Sequence, residues 1–65
     1  MLFADKVKTV RDKKNISQEK LAVILGVSFA TINRWENGRG NPNFLAQEKF
    51  NAYCKENGIT FDEDK

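Results

Sequence analysis

The sequence of 65 residues contains no histidine and one cysteine, Cys54. A single cysteine excludes an internal disulfide, and a chain without histidine cannot build a Cys/His zinc site. No apolar run approaches the length of a membrane span, and no hydrophobic signal region follows the first residue. A lone thiol is also typical of the reducing cytosol. We therefore expect a cytoplasmic protein with no metal, no cofactor and no membrane partner.

The residues that catalysis requires are equally scarce. There is no histidine, no phosphate-cradling glycine loop and no cysteine-based triad, so we expect that the protein is not an enzyme. The contiguous acids Asp62, Glu63 and Asp64 are typical of a solvated terminus rather than a metal site. These acids lower the net charge of the whole chain to +2, whereas residues 1–58 alone carry a net charge of +4. That sign suits a partner that bears phosphates.

The stretch from residue 17 to residue 38, SQEKLAVILGVSFATINRWENG, contains one local pattern twice. Ser17 and Ser28 are good N-caps, because a serine hydroxyl accepts an unpaired backbone N–H of the first helical turn. Gly26 lies between the two patterns, where glycine readily adopts the left-handed conformation that ends a helix. The stretch therefore predicts two short helices that cross steeply, and the small side chain of Ala22 leaves room for the crossing.

Helical periodicity predicts four helices in all, over residues 2–14, 18–25 and 29–37 and from residue 41 or 43 to about residue 56. Asn41 and Asn43 are both suitable N-caps for the fourth helix, and Pro42 is tolerated at a first helical position. We expect one all-α domain over residues 1–58, followed by a short acidic tail over residues 59–65.

Two segments carry a resemblance to a known family: SQEKLAVILGVS, from residue 17 to residue 28, and TINRWENGRGNP, from residue 31 to residue 42. Together they resemble the phage repressor and Cro family of XRE-like helix-turn-helix proteins, over roughly residues 7–45. The resemblance implies a compact bundle of four to five helices of the lambda-repressor type, with a central helix-turn-helix. It also implies binding to double-stranded DNA, with helix 29–37 in the major groove.

The outer face of helix 29–37 is the predicted base-reading surface. At about 100° per residue, Ile32 and Trp35 face the core, and a short polar face lies opposite. In the major groove an arginine pairs with guanine, an asparagine pairs with adenine, and apolar groups contact the thymine methyl. The predicted base contacts are Phe29, Ala30, Asn33 and Arg34. The alternatives are that the polar residues are simply exposed to solvent and that Phe29 packs at the domain edge.

The family resemblance further implies contacts to the DNA backbone, by Gln18, Ser28, Asn37, Arg39 and Arg11. For Ser28 and Asn37 the alternative is helix capping without a DNA contact. The resemblance also implies an ion pair between Arg11 and Glu36 that joins the first and third helices. An unpaired carboxylate on the inner side of helix 29–37 would be costly, so a partner for Glu36 is expected.

Two classes of function fit these features: a sequence-specific DNA-binding transcriptional regulator, or an antitoxin-type module that binds a partner protein. The polar outer face of helix 29–37 favours DNA, because a surface for a partner protein should be apolar. We therefore predict a small Cro-like repressor or controller protein, which is associated with the nucleoid when it is bound to DNA. We expect no separate ligand-sensing domain in a chain of this length, and activation through contact with polymerase stays open.

Selective binding against a whole genome requires more base pairs than one such helix reads, which predicts a homodimer on a palindromic operator. A weak interface would form only on the DNA. The candidate interface residues are Tyr53, Ile59 and Phe61, which a four-helix core does not obviously cover. The alternative is that all three complete the core of the monomer.

Overall fold

The computed structural model describes residues 1–61, and these form four α-helices: α1 (Phe3–Lys14), α2 (Gln18–Leu25), α3 (Phe29–Glu36) and α4 (Phe44–Glu56). The predicted all-α class is confirmed. The predicted bounds need small corrections, since α1 begins one residue later and α3 ends one residue earlier than expected. Asn43 rather than Asn41 is the N-cap of α4, so Pro42 lies in the preceding loop and not at a first helical position.

Side-chain caps begin three of the four described helices. The Ser17 hydroxyl accepts the backbone N–H of Lys20 at 3.0 Å, and the Ser28 hydroxyl accepts that of Thr31 at 3.1 Å. The Asn43 side-chain oxygen accepts the N–H of Ala46 at 2.8 Å. Because each cap satisfies a donor that the helix itself leaves unpaired, the three starts are defined by local sequence.

A common backbone motif ends all four helices of the described chain. A left-handed residue at position 15, 26, 38 or 58 follows each helix, and the next residue returns its N–H to a carbonyl five positions back. This is the Schellman arrangement, in which the returning residue usually packs against the helix end. The returning residues are Ile16, Val27, Arg39 and Ile59. The first two and Ile59 pack on the core, whereas Arg39 is exposed.

The core lies around the inner face of α3. Its Ile32 is fully buried and its Trp35 is 3% exposed. The helix packs against α1 and α2, and α4 packs against α2. Phe3 contacts the Trp35 ring edge-on, with 5.3 Å between the ring centroids, and contacts Phe50 of α4 in the same way at 5.1 Å. The remaining buried apolar residues are Val7, Val10, Leu21, Ala22, Leu25, Ala46, Phe50, Cys54 and Ile59.

The segment after α4 also belongs to this core. Ile59 is only 7% exposed, and the ring of Phe61 stacks on Phe50 with 6.5 Å between centroids. Tyr53 is half-buried against the same cluster. Among the three residues proposed for a dimer interface, Ile59 is buried within the monomer core, as the alternative expected. Tyr53 and Phe61 each keep part of their surface exposed. The rest of the predicted acidic tail, residues 62–65, lies outside the described residues.

Two further features of the described chain bear on the expectations above. No helix within residues 1–61 combines the length and apolar character needed to cross a membrane. Cys54 is buried in the core as a free thiol, and burial raises the pKa of that thiol. A buried thiol with a raised pKa is a poor nucleophile, so Cys54 contributes packing rather than reactivity.

Candidate nucleic-acid interface

The outer face of α3 forms a shallow, open depression with the loop that follows the helix. Six side chains line it: Phe29, Ala30, Asn33, Arg34, Asn37 and Arg39. The set contains every residue predicted to contact bases and two of those predicted to contact phosphates. Ile32, Trp35 and Glu36 occupy the opposite, buried side of the helix. The core therefore orients α3 so that its polar side faces outward.

Arg34 is exposed, and no side-chain hydrogen bond to it is found within residues 1–61. Its guanidinium lies beside the loop, since a Cβ added at Gly40 would come within 3.6 Å of Arg34 Nε. The donors of Arg34 are therefore available to a ligand, and the fork of a guanidinium matches the O6 and N7 acceptors of guanine. Phe29, 49% exposed, lies at the rim of the same depression rather than in the core.

Asn37 is the C-cap residue of α3, and its side chain makes two hydrogen bonds. Its Nδ2 donates to the backbone oxygen of Asn33 at 2.9 Å and to Asn33 Oδ1 at 2.6 Å. The first bond is the capping that sequence analysis considered as an alternative to DNA contact. The second bond was missed, although two asparagines four positions apart on a helix are a recognisable signal for such a pair.

Ser28 caps α3 and remains exposed, and its hydroxyl lies 2.9 Å from that of Thr31. Capping uses one lone pair of the hydroxyl oxygen, so the same residue retains capacity for a further polar contact. Arg39, the returning residue of the α3 Schellman motif, is exposed where the other three helix ends carry packed apolar residues. Because an arginine stands here in place of an apolar residue, a positive charge lies beside the depression.

An ion pair behind the depression ties α3 to α1. Arg11 Nε donates to Glu36 Oε2 at 2.6 Å, and Arg11 Nη2 donates to Glu36 Oε1 at 3.0 Å. Arg11 Nη1 also donates to the backbone oxygen of Ile16 at 3.2 Å. The bidentate geometry is the strongest form of an arginine–carboxylate pair. The pair that the family resemblance implies is thus present, and it holds α3 against α1.

Gln18 joins the same network, which sequence analysis did not foresee. Its Nε2 donates to Glu36 Oε1 at 3.0 Å, so α2 is connected to the same carboxylate as α1. Gln18 was predicted only as a phosphate contact. The first residue of α2 is still half-exposed at a helix N-terminus, where backbone N–H groups favour an anion. A phosphate contact there stays a prediction, with Gln18 already oriented by Glu36.

The network shifts the pKa values of both charged members. Burial alone would raise the pKa of the Glu36 carboxyl, but hydrogen bonds from Arg11 and Gln18, with the charges of Arg11 and Lys8, outweigh it. The net pKa of Glu36 lies below its ordinary value. The hydrogen bonds that Arg11 donates to Glu36 raise the pKa of Arg11. Both groups are therefore charged near neutral pH, and the pair is intact there.

The lowered pKa of Glu36 predicts a loss of stability in acid. Near and below the ordinary glutamate pKa of about 4.3, the unfolded chain binds a proton at Glu36 more readily than the folded chain does. The free energy of unfolding therefore decreases as the pH is lowered, until Glu36 is protonated in both states. Urea unfolding between about pH 7 and pH 3 should show a steeper decline for the wild type than for Glu36→Gln, which cannot titrate at this position. Parallel profiles for the two proteins would show that the Glu36 pKa is unshifted.

Comparison with known proteins agrees with this geometry. A family model described as "Helix-turn-helix" matches residues 7–46, which include α2, the turn and α3. The chain belongs to the XRE-like helix-turn-helix family of DNA-binding regulators. The predicted membership of this family is confirmed, and members of the family are in general not enzymes.

One curated relative is similar along nearly the whole chain. The HTH-type transcriptional activator BcrR of Enterococcus faecalis is 40% identical over 63 residues, which is 97% of this chain. The matched part is 29% of that protein's own length, so the similarity covers less than a third of the relative. No solved structure matches the chain.

Proposed function

We propose that the protein is a sequence-specific regulator that inserts α3 into the major groove of double-stranded DNA. The observation that carries the proposal is the depression on the outer face of α3, where Asn33, Arg34 and Arg39 face outward opposite a fully packed inner face. An α-helix fits the major groove, and arginine and asparagine are the side chains best suited to base edges. The two arginines give this face a positive charge, which suits the phosphates of DNA better than an apolar partner protein.

The proposed contacts divide by position. Phe29, Ala30, Asn33 and Arg34 meet base edges, because they line the depression along the helix. Arg39 lies in the loop at the end of that strip, and the residues proposed to meet phosphates are Gln18, Ser28, Asn37, Arg39 and Arg11. Arg11 is 27% exposed at its side chain, so it can reach an anion while it holds Glu36. Phosphate contacts set the register of α3, and base contacts select the sequence.

The direction of regulation is proposed from the surface of this chain. A domain that offers a DNA-reading face represses most simply, by covering a promoter on which its operator lies. The relative BcrR is named an activator, and activation needs a further contact with polymerase from an upstream site. A reporter with the operator placed over the promoter, compared with one placed upstream, separates the two. Repression in the first and no effect in the second is the expected result.

We further propose that two copies bind one palindromic operator. Two α3 helices about 34–36 Å apart then read successive major grooves, which supplies the selectivity that a single helix lacks. Sedimentation of the protein with a full palindrome and with a half-site should give two copies and one copy per duplex. Saturation of a full palindrome by one copy would exclude this arrangement.

The test of the proposed function is the loss of base readout in Arg34→Ala. After selection of the preferred site from random duplexes, the variant should bind it about 1–3 kcal/mol more weakly and lose preference at one base pair. Arg39→Ala is the matched control, because it removes the same charge from the rim of the depression. It should weaken preferred and random DNA alike. If Arg34→Ala keeps full affinity and full base preference, α3 does not read the major groove.

A further inference from the structure

Hydrogen bonding along α3 determines how the Asn33 amide is oriented. Asn37 Nδ2 lies 2.9 Å from the backbone oxygen of Asn33, which can only accept. The Asn37 amide therefore points its NH2 group, and not its oxygen, toward Asn33. The Asn33 side-chain atom that meets this NH2 group at 2.6 Å must in turn be an oxygen. The backbone carbonyl thus settles both amide orientations.

The orientation decides what Asn33 offers to DNA. One lone pair of its Oδ1 accepts the bond from Asn37, while its Nδ2 makes no hydrogen bond within residues 1–61. The bidentate contact with adenine that residue type alone predicts requires a donor and an available acceptor on the same amide. The bond from Asn37 fixes the direction of the oxygen and takes one of its two lone pairs, so the groups of Asn33 left wholly unused are its two N–H donors. Guanine presents two matching acceptors, N7 and O6, whereas thymine presents O4 alone and adenine presents N7 beside the N6 donor.

We propose that Asn37 is a positioning residue that orients Asn33 as a hydrogen-bond donor, so that Asn33 selects guanine, which presents two acceptors, over adenine and cytosine. The inference rests on the proposed function, since it names the chemistry that the α3 surface reads. It also predicts adjacent acceptor-bearing bases in the operator, because the neighbouring Arg34 is likewise a donor.

The experiment is a titration of the protein against every single-base variant of its selected site. Asn33→Ala first identifies the base pair that Asn33 reads, as the one whose preference disappears. At that position the wild type should prefer guanine. In Asn37→Ala the Asn33 amide is released and can pair with adenine in the bidentate manner, so the ratio of guanine to adenine affinity should fall by roughly tenfold.

A second variant reverses the hydrogen bond. Asn37→Asp replaces the donor by an acceptor, which turns the Asn33 NH2 group inward and leaves its oxygen facing the groove. The preference should then move to adenine and cytosine, whose exocyclic amines are donors. The added negative charge weakens binding to all sequences, and this common factor cancels in the ratio of two affinities.

The chain supplies a matched control in Asn57, the C-cap of α4. Asn57 Nδ2 donates to the backbone oxygen of Tyr53 at 2.8 Å, and Gly58 follows it just as Gly38 follows Asn37. Asn57→Ala therefore removes the same cap without touching the depression on α3. It should cost similar stability, measured by urea unfolding, and leave every base preference unchanged.

The outcomes separate this inference from the proposed function. A wild-type preference for adenine at the Asn33 position overturns it, as does an unchanged guanine-to-adenine ratio in both Asn37 variants. An Asn33→Ala variant that keeps all base preferences also overturns it. In each case the effect of Arg34→Ala reports independently on major-groove reading. Binding by the wild type that shows no base preference anywhere overturns both.

Discussion

Replacing Glu36 by alanine is expected to destabilise the protein by about 2–4 kcal/mol. The substitution removes the acceptor for Arg11 and Gln18 together, and it leaves the Arg11 charge without its partner. Breaking a fully buried pair costs about 3–5 kcal/mol. The Arg11 side chain is 27% exposed and keeps its bond to Ile16. Solvent therefore stabilises the unpaired charge in part, and the expected loss is smaller than that for a fully buried pair. At about 0.05–0.15 kcal/mol per residue, that is a large share of the stability of so small a domain.

Urea unfolding of Glu36→Ala, Arg11→Met and the double variant Arg11→Met/Glu36→Leu measures the coupling. The double variant should lose less than the sum of the single losses, because apolar replacement of both members leaves no charge without a partner. Glu48→Ala, at an exposed position on α4, is the matched control and should change stability by less than about 0.5 kcal/mol. Small, additive losses for the two single variants would mean that the pair does not stabilise the fold.

Most of the fold could be predicted from local features of the sequence, namely helix caps and the spacing of apolar residues. Ser17, Ser28 and Asn43 each cap a helix at the predicted place or at one of the predicted places. A cap acts within one helical turn, so its effect can be inferred without knowing the tertiary structure. The inner face of α3 was equally predictable, since Ile32 and Trp35 are separated by one helical turn.

The candidate site was predicted only in part, for a physical reason. Periodicity identifies which side chains share the outer face of α3, and the structure brings these side chains to one depression. Periodicity carries no information on how a flexible polar side chain satisfies its hydrogen bonds. The bond from Gln18 to Glu36 spans two helices and depends on their packing, and the bond from Asn37 to Asn33 depends on amide orientation. These two contacts change what Gln18 and Asn33 offer to DNA.

The position of Ile59 shows a third limit on what could be predicted from the sequence. Counting apolar residues left it open whether Ile59 completes the core or forms an interface. In the structure Ile59 closes the end of α4, where its N–H returns to Cys54 O at 2.9 Å after the left-handed Gly58. The parallel with Gly26 and Val27 at the end of α2 was visible in the sequence, and it predicts that the residue after the glycine packs inward.

Ile59→Ala is accordingly expected to destabilise the protein by about 2–5 kcal/mol, the usual cost of removing a buried isoleucine side chain beyond Cβ. Ile59 is 7% exposed and closes the core beside Cys54 and Phe50, so the lost methyl groups leave a cavity that a small domain refills poorly. Thr60→Ala is the matched control: the next residue is exposed, and its substitution should change stability by less than about 0.5 kcal/mol.

Two measurements on the variants separate core packing from a dimer contact. Thermal and urea unfolding give the stability, and sedimentation at several concentrations gives the oligomeric state. The expected result for Ile59→Ala is a lower midpoint that does not depend on protein concentration, because the side chain packs within one chain. If the lost stability were due to a broken dimer, the wild-type midpoint would rise with concentration by mass action and that of Ile59→Ala would not. A concentration-dependent wild-type midpoint of this kind would return Ile59 to the interface. A concentration-independent one leaves Tyr53 and Phe61 as the apolar residues of this region with surface exposed for a second copy.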